Sequence, residues 1–403
     1  MIIRRPMTPT TIGWLKGLSI PSEWTQSKVK YVAPGMQAGE SITAESIDPT
    51  GTYPVYGGNG LRGYTEAKTH EGTCVLIGRQ GALCGNVHLV SGEFWASEHA
   101  IVARPSEACD PRWLAYLLHV MNLGQYSQTA AQPGIGTGQI NPLSVPLPPS
   151  LEQRAIADYL DRETTRIDTL IKEQQRLIEM LCERRASVVA SVLTPTDSWR
   201  WLRIKHIGQT CLGKMLDAGR ALREGDEPRP YVRAADVRAD GSVNLVDLNE
   251  MPFSETEMGT FDLRVGDVLL IEGGATVGRP GFMFEAAPGI AFQKTVNRLR
   301  VGPQADARFV YWSMLRLYES AYYANHYGSV SFVHLTGEKL REIALPFPPV
   351  DEQRQLAAHL DETTKRIDTL IAETERFIEF AHERRSALIT AAVTGQIDIH
   401  EAA

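Results

Sequence analysis

The six residues RIDTLI occur twice in the chain, at positions 166–171 and 366–371, which are 200 residues apart. The match extends well beyond this hexapeptide. VPLPPSLEQRAIADYLDRETTRIDTLIKEQQRLIEMLCERRASVVASVLT (145–194) aligns without a gap with LPFPPVDEQRQLAAHLDETTKRIDTLIAETERFIEFAHERRSALITAAVT (345–394), and about half of the positions are identical. Identity over this length indicates an internal duplication, so the fold is built on a repeat.

Each copy of the repeat predicts one long α-helix. Each begins after a proline-rich start, PLPP or PFPP, and then runs for over 40 residues without proline or glycine. In the first copy Ser150 and Gln153 have the spacing of a capping box, whereas the second copy has Val350 at the first of these positions. A helix of this length spans roughly 60 Å at about 1.5 Å per residue.

Apolar residues in each copy alternate in steps of four and three, which is the period of a coiled-coil seam. Thr164, Gln174 and Arg185 interrupt this seam with polar side chains. A single helix would leave its apolar stripe in water, so the other copy is the expected partner, packed antiparallel to give an approximate two-fold repeat. The predicted seam residues are Leu160, Ile167, Ile171, Ile178, Leu181, Leu360, Ile367, Ile371, Ile378 and Leu388.

Two long segments, 14–145 and 199–345, each precede one of the helices and begin alike. Trp24 is followed by Val29-Lys30 in the first, and Trp199 by Ile204-Lys205 in the second. Their interiors contain apolar runs punctuated by glycine, such as TCVLIGRQGALCGNV (73–87) and GDVLLIEGGATVGRPGF (266–282), which predict strands. These interiors differ in sequence, which indicates two different surfaces carried on one scaffold.

Composition and charge exclude some classes of protein. The chain of 403 residues has five scattered cysteines without a CxxC pair, which favours reduced thiols over a zinc site. It has no apolar run of 18 or more residues and no signal-peptide pattern, so we expect a cytoplasmic protein. The net charge of −7 is concentrated at 346–403, where six basic residues face eleven acidic ones. That acidic copy favours a protein-binding surface over a phosphate-binding one.

The motifs that carry a family resemblance lie at the repeat and at the domain entries. They are the PLPP–EQR start, the RID–L–I and ERR positions of the helix, the terminal VTGQIDI (393–399), the WLK–IP–W stretch at 14–24, and YPVYGGNGLRGY (53–64). Together they resemble the specificity subunits of Type I restriction–modification systems. The resemblance covers nearly the whole chain, and it is weaker inside the two domains than in the helices.

This resemblance implies an α+β fold with two mixed α/β target-recognition domains, at 1–145 and 195–345. They would be joined by two long helices, at 146–194 and at 346–403 with the C-terminal tail, packed as an antiparallel coiled coil. It implies a subunit without catalytic activity that reads a bipartite, asymmetric site in double-stranded DNA. Two methyltransferase subunits and two restriction subunits are the implied protein partners. The implied cofactors, S-adenosylmethionine, ATP and Mg²⁺, would bind those partners and not this chain.

Polar side chains in glycine-rich loops are the candidates for contact with DNA. Glycine lets the backbone approach a phosphate, while Arg, Gln and Asn can form paired hydrogen bonds to base edges. Solvated loop residues are the alternative interpretation for each of them. The candidates are Asn59, Arg62, Arg79 and Gln80 in the first domain and Arg233, Arg279, Gln293 and Lys294 in the second.

Two other functions are left open by the residues. Asp48 with Glu66 and Lys68 has the pattern of an acidic-x-Lys site, which would suit an autonomous Mg²⁺-dependent endonuclease. A coiled-coil scaffold without any role on DNA is the other alternative. Asn141-Pro142-Leu143-Ser144 is a poor imitation of the NPPY or DPPY tetrapeptide that holds a target adenine, so methyl transfer is not expected in this chain.

A metal site was the remaining possibility in the first domain. His70, His88 and His99 lie near Cys74 and Cys84, but their spacings are irregular for metal ligands. Surface histidines and core cysteines are the expected interpretation, with no metal bound.

Overall fold

The computed structural model describes residues 5–127, 133–215, 224–327 and 334–399. The chain divides into two compact units. The first unit comprises Met1–Gln175 and Arg376–Ala403, and the second comprises Arg176–Glu375. Each unit therefore contains one β-rich domain and part of each long helix.

The two copies of the repeat form helices at Ser150–Val192 and Val350–Val393. Both begin directly after the proline-rich start, because proline cannot donate a backbone hydrogen bond inside a helix. The capping box predicted for Ser150 and Gln153 is wrong. The Gln153 side chain instead accepts from the Asp110 amide at 2.9 Å and donates to the Pro148 carbonyl at 2.9 Å.

Gln353 makes the equivalent pair of hydrogen bonds in the second unit. Its side chain accepts from the Asp306 amide at 2.8 Å and donates to the Pro348 carbonyl at 2.7 Å. Both glutamines are buried. The glutamine of the EQR motif therefore joins the start of each long helix to the start of a helix in the preceding domain.

The first unit has two four-stranded sheets and two strand pairs. One sheet is antiparallel, with the order Gln37–Ala38, Ala100–Ala103, Cys74–Gly78 and Val87–Val90. The other has the order Gly60–Thr65, Tyr53–Gly57, Glu93–Ala96 and His70–Glu71, with one parallel pairing between its middle strands. The pairs are Met7–Pro9 with Ser19–Pro21 and Thr25–Lys28 with Ser144–Leu147.

The second unit repeats most of this topology with different residues, and its second sheet has three described strands instead of four. Its antiparallel sheet has the order Gly208–Leu212, Val296–Val301, Val268–Ile271 and Pro280–Phe282. Its second sheet has the order Asn249–Phe253, Glu227–Val232 and Ala291–Phe292, again with one parallel pairing. Arg200–Arg203 pairs with Ala344–Phe347 at the entry and exit of the domain.

The shorter helices complete each domain. Asp110 and Asp306 cap the amphipathic helices Pro111–Val120 and Ala307–Glu319, because their carboxylates accept from backbone amides of the first turn. The remaining α-helices are Val29–Val32, Thr137–Ile140, Glu255–Phe261, Tyr322–Tyr327 and Gly337–Glu342.

The two long helices pack antiparallel within each unit. In the first unit Ile167 and Ile171 pack with Ala381, while Ile156 lies in the domain core with Ile389. Residues near the start of the first long helix therefore contact residues near the end of the second, as antiparallel packing requires. In the second unit Val189 and Leu193 share the domain core with Ala357 and Leu360 in the same way.

The predicted seam residues differ in their burial. Leu160, Ile167, Ile171, Leu360 and Ile367 are buried. Ile178, Leu181, Ile371, Ile378 and Leu388 are half-buried, which places them at the margin of the packed stripe. Where the structure describes helices, none combines the length and apolar character needed to cross a bilayer.

Candidate nucleic-acid interface

Three loops of the first unit converge where neighbouring strands end. They are residues 57–62, 79–86 and 97–99, called here the first loop cluster. The Arg79 amide donates to the His99 carbonyl at 2.8 Å, and the Ser97 amide to the Tyr56 carbonyl at 2.9 Å. A Cβ at Gly78 would lie 2.3 Å from the Gly58 carbonyl oxygen, so only glycine permits this approach.

Three of the four candidates in this unit line one open depression. Asn59, Arg62 and Gln80 are exposed there, together with His99. Asn59 Oδ1 accepts from Asn86 Nδ2 at 3.0 Å, and Gln80 Oε1 lies 3.2 Å from His99 Nδ1. These contacts orient the two amide groups while leaving the side chains open to solvent.

Arg79 is placed differently from its neighbours. It is half-buried, and its guanidinium donates to the Glu98 carbonyl at 3.3 Å. It therefore ties the loop at 79–86 to the loop at 97–99. Arg62 has no ion-pair partner in the described part of the chain, so its positive charge is open to an anionic ligand.

The second unit has an equivalent loop cluster at residues 233–236, 272–279 and 293–295. The Glu272 amide donates to the Thr295 carbonyl at 2.9 Å, and the Gln293 amide to the Val232 carbonyl at 3.0 Å. The Ala234 amide donates to Thr295 Oγ1 at 3.1 Å. The backbone contacts match those of the first loop cluster, although the side chains are different.

The four candidates of the second loop cluster have distinct environments. Arg233 pairs with Asp236, Nε to Oδ2 at 3.1 Å. Arg279 is half-buried and donates to the Val237 carbonyl at 2.6 Å, which gives it a structural contact. Gln293 Oε1 accepts from Thr295 Oγ1 at 3.1 Å. Lys294 is exposed, and the described residues offer it no ion-pair partner.

Other residues of the two loop clusters were not singled out from the sequence as candidates for contact with DNA. His99 lies beside Gln80 in the first, and His334 Nδ1 lies 3.2 Å from Glu272 Oε2 in the second. Lys214 borders the second cluster, where Glu257 pairs with it at 2.7 Å. The glycine pattern could not identify these residues, because they reach the clusters from segments without that pattern.

The residues of the nuclease alternative do not form a site. Lys68 pairs with Glu71 at 2.9 Å and also with Glu93. Its hydrogen bonds to Glu93 and Glu71 hold the pKa of Lys68 above its usual range, which is opposite to the need of a general base. The Glu66 carboxylate accepts from Thr52 Oγ1 at 2.6 Å, and Asp48 pairs through its backbone with Tyr64.

The histidines and cysteines that were considered for a metal site have other environments. His70 is buried and stacks on Phe94, and burial lowers its pKa. Burial raises the pKa of Cys74 and of Cys84, and both are free thiols. Across the described ranges, no three His, Cys, Asp or Glu side chains are grouped as a metal ion would require. The geometry of the loop clusters suits binding of a ligand through hydrogen bonds and charge.

Comparison with known proteins finds similarity to one family. The model of the family described as the Type I restriction modification DNA specificity domain matches residues 21–180. The specificity subunit of the Type I restriction enzyme EcoprrI from Escherichia coli is 38% identical over 161 residues, which cover 39% of this chain and 40% of that relative. A putative Type I restriction enzyme specificity subunit from Haemophilus influenzae, S.HindORF215P, is 22% identical over 84% of this chain and 89% of its own length.

Residues 21–180 of the chain are similar to the Type I specificity family. The resemblance stated from the sequence is thereby confirmed. A solved chain from work on complex assembly and conformational transition of the type I R-M system covers 94% of this chain and 100% of its own, with a TM-score of 0.75 and 17% identity. The HsdS subunit of Thermoanaerobacter tengcongensis covers 94% and 99%, with a TM-score of 0.55 and 17% identity. These Type I folds confirm the α+β class.

Proposed function

We propose that this chain is the DNA sequence-specificity subunit of a Type I restriction–modification complex. The observation that carries the proposal is the pair of loop clusters. Each is built on the same sheet topology with matching backbone contacts, and each presents different polar side chains. Two loop clusters with the same backbone arrangement and different side chains suit a DNA site whose two halves differ in sequence.

Each loop cluster reads one half of the site. Base edges in the major groove present a distinct pattern of donors and acceptors for each base pair, and Arg, Gln and Asn side chains recognise such patterns through paired hydrogen bonds. Arg62, Asn59 and Gln80 supply these groups in the first cluster. Lys294 and Gln293 supply them in the second, where Arg233 is partly neutralised by Asp236. Lys294 is best suited to a phosphate, because its ammonium acts as a point charge.

The two long helices hold the two readers and dock the protein partners. Two methyltransferase subunits would bind the duplicated helices, since duplicated surfaces offer two equivalent places for copies of one partner. Restriction subunits would join the same complex. S-adenosylmethionine, ATP and Mg²⁺ would bind those partners, and this chain would carry no catalytic site. Because the substrate is cellular or invading DNA, the cytoplasm is the proposed location.

The experiment that tests this function maps methylated adenines across the genome of the source cell, with and without the gene. We expect one bipartite motif to lose its methylation when the gene is deleted. A methylation map that is unchanged by the deletion would contradict the proposal. Cleavage of DNA by the purified chain with Mg²⁺ alone would instead support the endonuclease alternative.

A further inference from the structure

An open apolar groove lies in the second unit, beside the residues that follow the first long helix. Its volume is about 400 Å³. Trp201 forms one wall and is 65% exposed, which is unusual for a residue of this size. Arg316 closes one side, because its guanidinium donates to the Leu193 carbonyl. The other apolar residues of the lining are Leu193, Pro195, Trp199, Leu317, Leu345 and Pro346.

Strand registers identify the equivalent place in the first unit. Trp201 is paired with Pro346, and Gln26 is paired with Pro146 in the equivalent strands. Gln26 therefore occupies the position of Trp201. By the same registers Ser144, opposite Lys28, occupies the position of Ala344, opposite Arg203.

In the first unit the chain covers this place with its own N-terminal segment. The Trp14 indole donates to the Ser144 carbonyl at 2.8 Å, and Thr11 Oγ1 donates to Gln26 Oε1 at 3.3 Å. Ile12 and Leu15 on either side of Trp14 are buried in the domain core. The occupant is thus a short apolar segment, Ile12-Gly13-Trp14-Leu15, with an aromatic side chain at its centre.

Among the residues that the structure describes, the second unit has no segment that matches 11–15. Its entry strand, Arg200–Arg203, follows the long helix Ser150–Val192 after only a short connection. Within the described ranges Ala344 is exposed, whereas the equivalent Ser144 is half-buried beside Trp14. The duplication therefore supplies a groove in both units and a covering segment in one.

We infer that the groove at Trp201 binds an apolar segment with a central aromatic residue, presented by a methyltransferase subunit. This inference rests on the proposed function. The chemistry of the ligand follows from the segment that covers the equivalent place in the first unit. The position of the groove favours a methyltransferase subunit as the partner. The groove includes Leu193 and Pro195, which follow the end of one of the two helices proposed to bind that subunit. Since the first unit is already covered, only one of two methyltransferase copies uses such a groove.

The test compares two exposed apolar residues of the second unit in the complete chain. Trp201→Gln introduces the residue that the first unit has at this position. Val265→Gln is the matched control, since Val265 is 59% exposed and lies outside the groove. The affinity of each variant for the purified methyltransferase subunit is measured by analytical ultracentrifugation. We expect Trp201→Gln to weaken binding of one copy by about tenfold or more, and the control by less than about twofold.

Photo-cross-linking gives an independent readout that does not depend on affinity. A benzophenone amino acid at position 201 should cross-link to the methyltransferase subunit, and the same group at position 265 should not. Unchanged affinity of Trp201→Gln, or cross-links from position 201 to DNA or to another copy of this chain, would overturn the inference.

DNA methylation by the wild-type complex is assayed in parallel. A complex that methylates DNA while failing these tests refutes the groove alone, whereas a chain that neither binds the methyltransferase nor directs methylation refutes the proposed function and the inference with it.

Discussion

Arg185 and Asp368 form an ion pair between the two long helices, with 2.9 Å between Nε and Oδ1. Arg385 and Asp168 form the same pair with the two copies exchanged, at 2.8 Å. Each aspartate belongs to RIDTLI, and each arginine is the second of the ERR motif. The hexapeptide is therefore a packing motif, in which the two isoleucines enter the apolar stripe and the aspartate is an ion-pair partner for the other copy.

Arg185 has a second partner that makes its removal dependent on pH. Its Nη1 lies 3.1 Å from Glu319 Oε1. Burial raises the pKa of Glu319, and Arg185 opposes that rise. In Arg185→Ala the carboxylate loses its counter-charge, so its folded-state pKa rises further above the unfolded value. We expect a loss of about 1–2 kcal/mol in the free energy of unfolding near pH 7, which shrinks as the pH falls and Glu319 takes up a proton.

The controls for this prediction are Arg385→Ala and the double variant Arg185→Ala/Glu319→Gln. The described ion pairs of Arg385 involve Asp168 alone, so its loss should cost about 0.5–1 kcal/mol. The double variant should lose the pH dependence, because the Glu319 carboxylate is no longer present. Thermal unfolding at several pH values measures all three, and a pH-independent Arg185→Ala would contradict the assignment to Glu319.

Ile171 tests the apolar stripe between the helices in the first unit. It is 5% exposed and packs with Ala381 and Ile378. Ile171→Asp would bury an unpaired charge there, and we expect it to destabilise the packed helices by about 3–5 kcal/mol. Leu170→Asp is the matched control, because Leu170 is the neighbouring residue and its side chain is 37% exposed. Hydrogen exchange of both helices should increase in the first variant and remain close to wild type in the second.

Gln153 tests the junction between a domain and its long helix. Gln153→Leu keeps the size of the side chain but leaves the Asp110 amide and the Pro148 carbonyl without their partner. We expect a loss of about 2–4 kcal/mol, since each buried polar group left unsatisfied costs about 1–3 kcal/mol. Gln153→Glu retains the acceptor for the Asp110 amide but buries a carboxylate against the Pro148 carbonyl, so it should cost at least as much near pH 7. A loss below about 1 kcal/mol for Gln153→Leu in denaturant-induced unfolding would argue against this role.

We expect the DNA-contact candidates to separate into residues that contact bases or phosphates and residues that support the fold. We expect Arg62→Ala to cost about 1–3 kcal/mol in DNA binding and to relax specificity at one base pair. Lys294→Ala should weaken binding to all DNA sequences. It should also reduce the slope of the logarithm of the binding constant against the logarithm of the salt concentration by about one. Arg279→Ala should lower stability before it alters specificity, because its guanidinium supports the Val237 carbonyl. Methylation motifs and salt-dependent binding distinguish the three outcomes.

The sequence predicted the long helices well because their signals are local. Proline starts, an uninterrupted helical run and the apolar period define Ser150–Val192 and Val350–Val393 to within a few residues. The strands predicted within the glycine-punctuated runs 73–87 and 266–282 are also present, at Cys74–Gly78 and Val268–Ile271 among others. The direction of each side chain could not be predicted, because it depends on distant partners. Arg279 meets a carbonyl 42 residues away, and Asn59 meets an amide 27 residues away. The partners of Gln153 were missed for the same reason.

Exchange of residues 14–145 for the matching domain of another family member tests the central claim most directly. The methylated adenines in cells that carry the exchanged subunit are then mapped across the genome. If each domain reads one half of the site, one half of the motif changes and the other half is retained. A motif in which both halves change, or neither, would contradict the account.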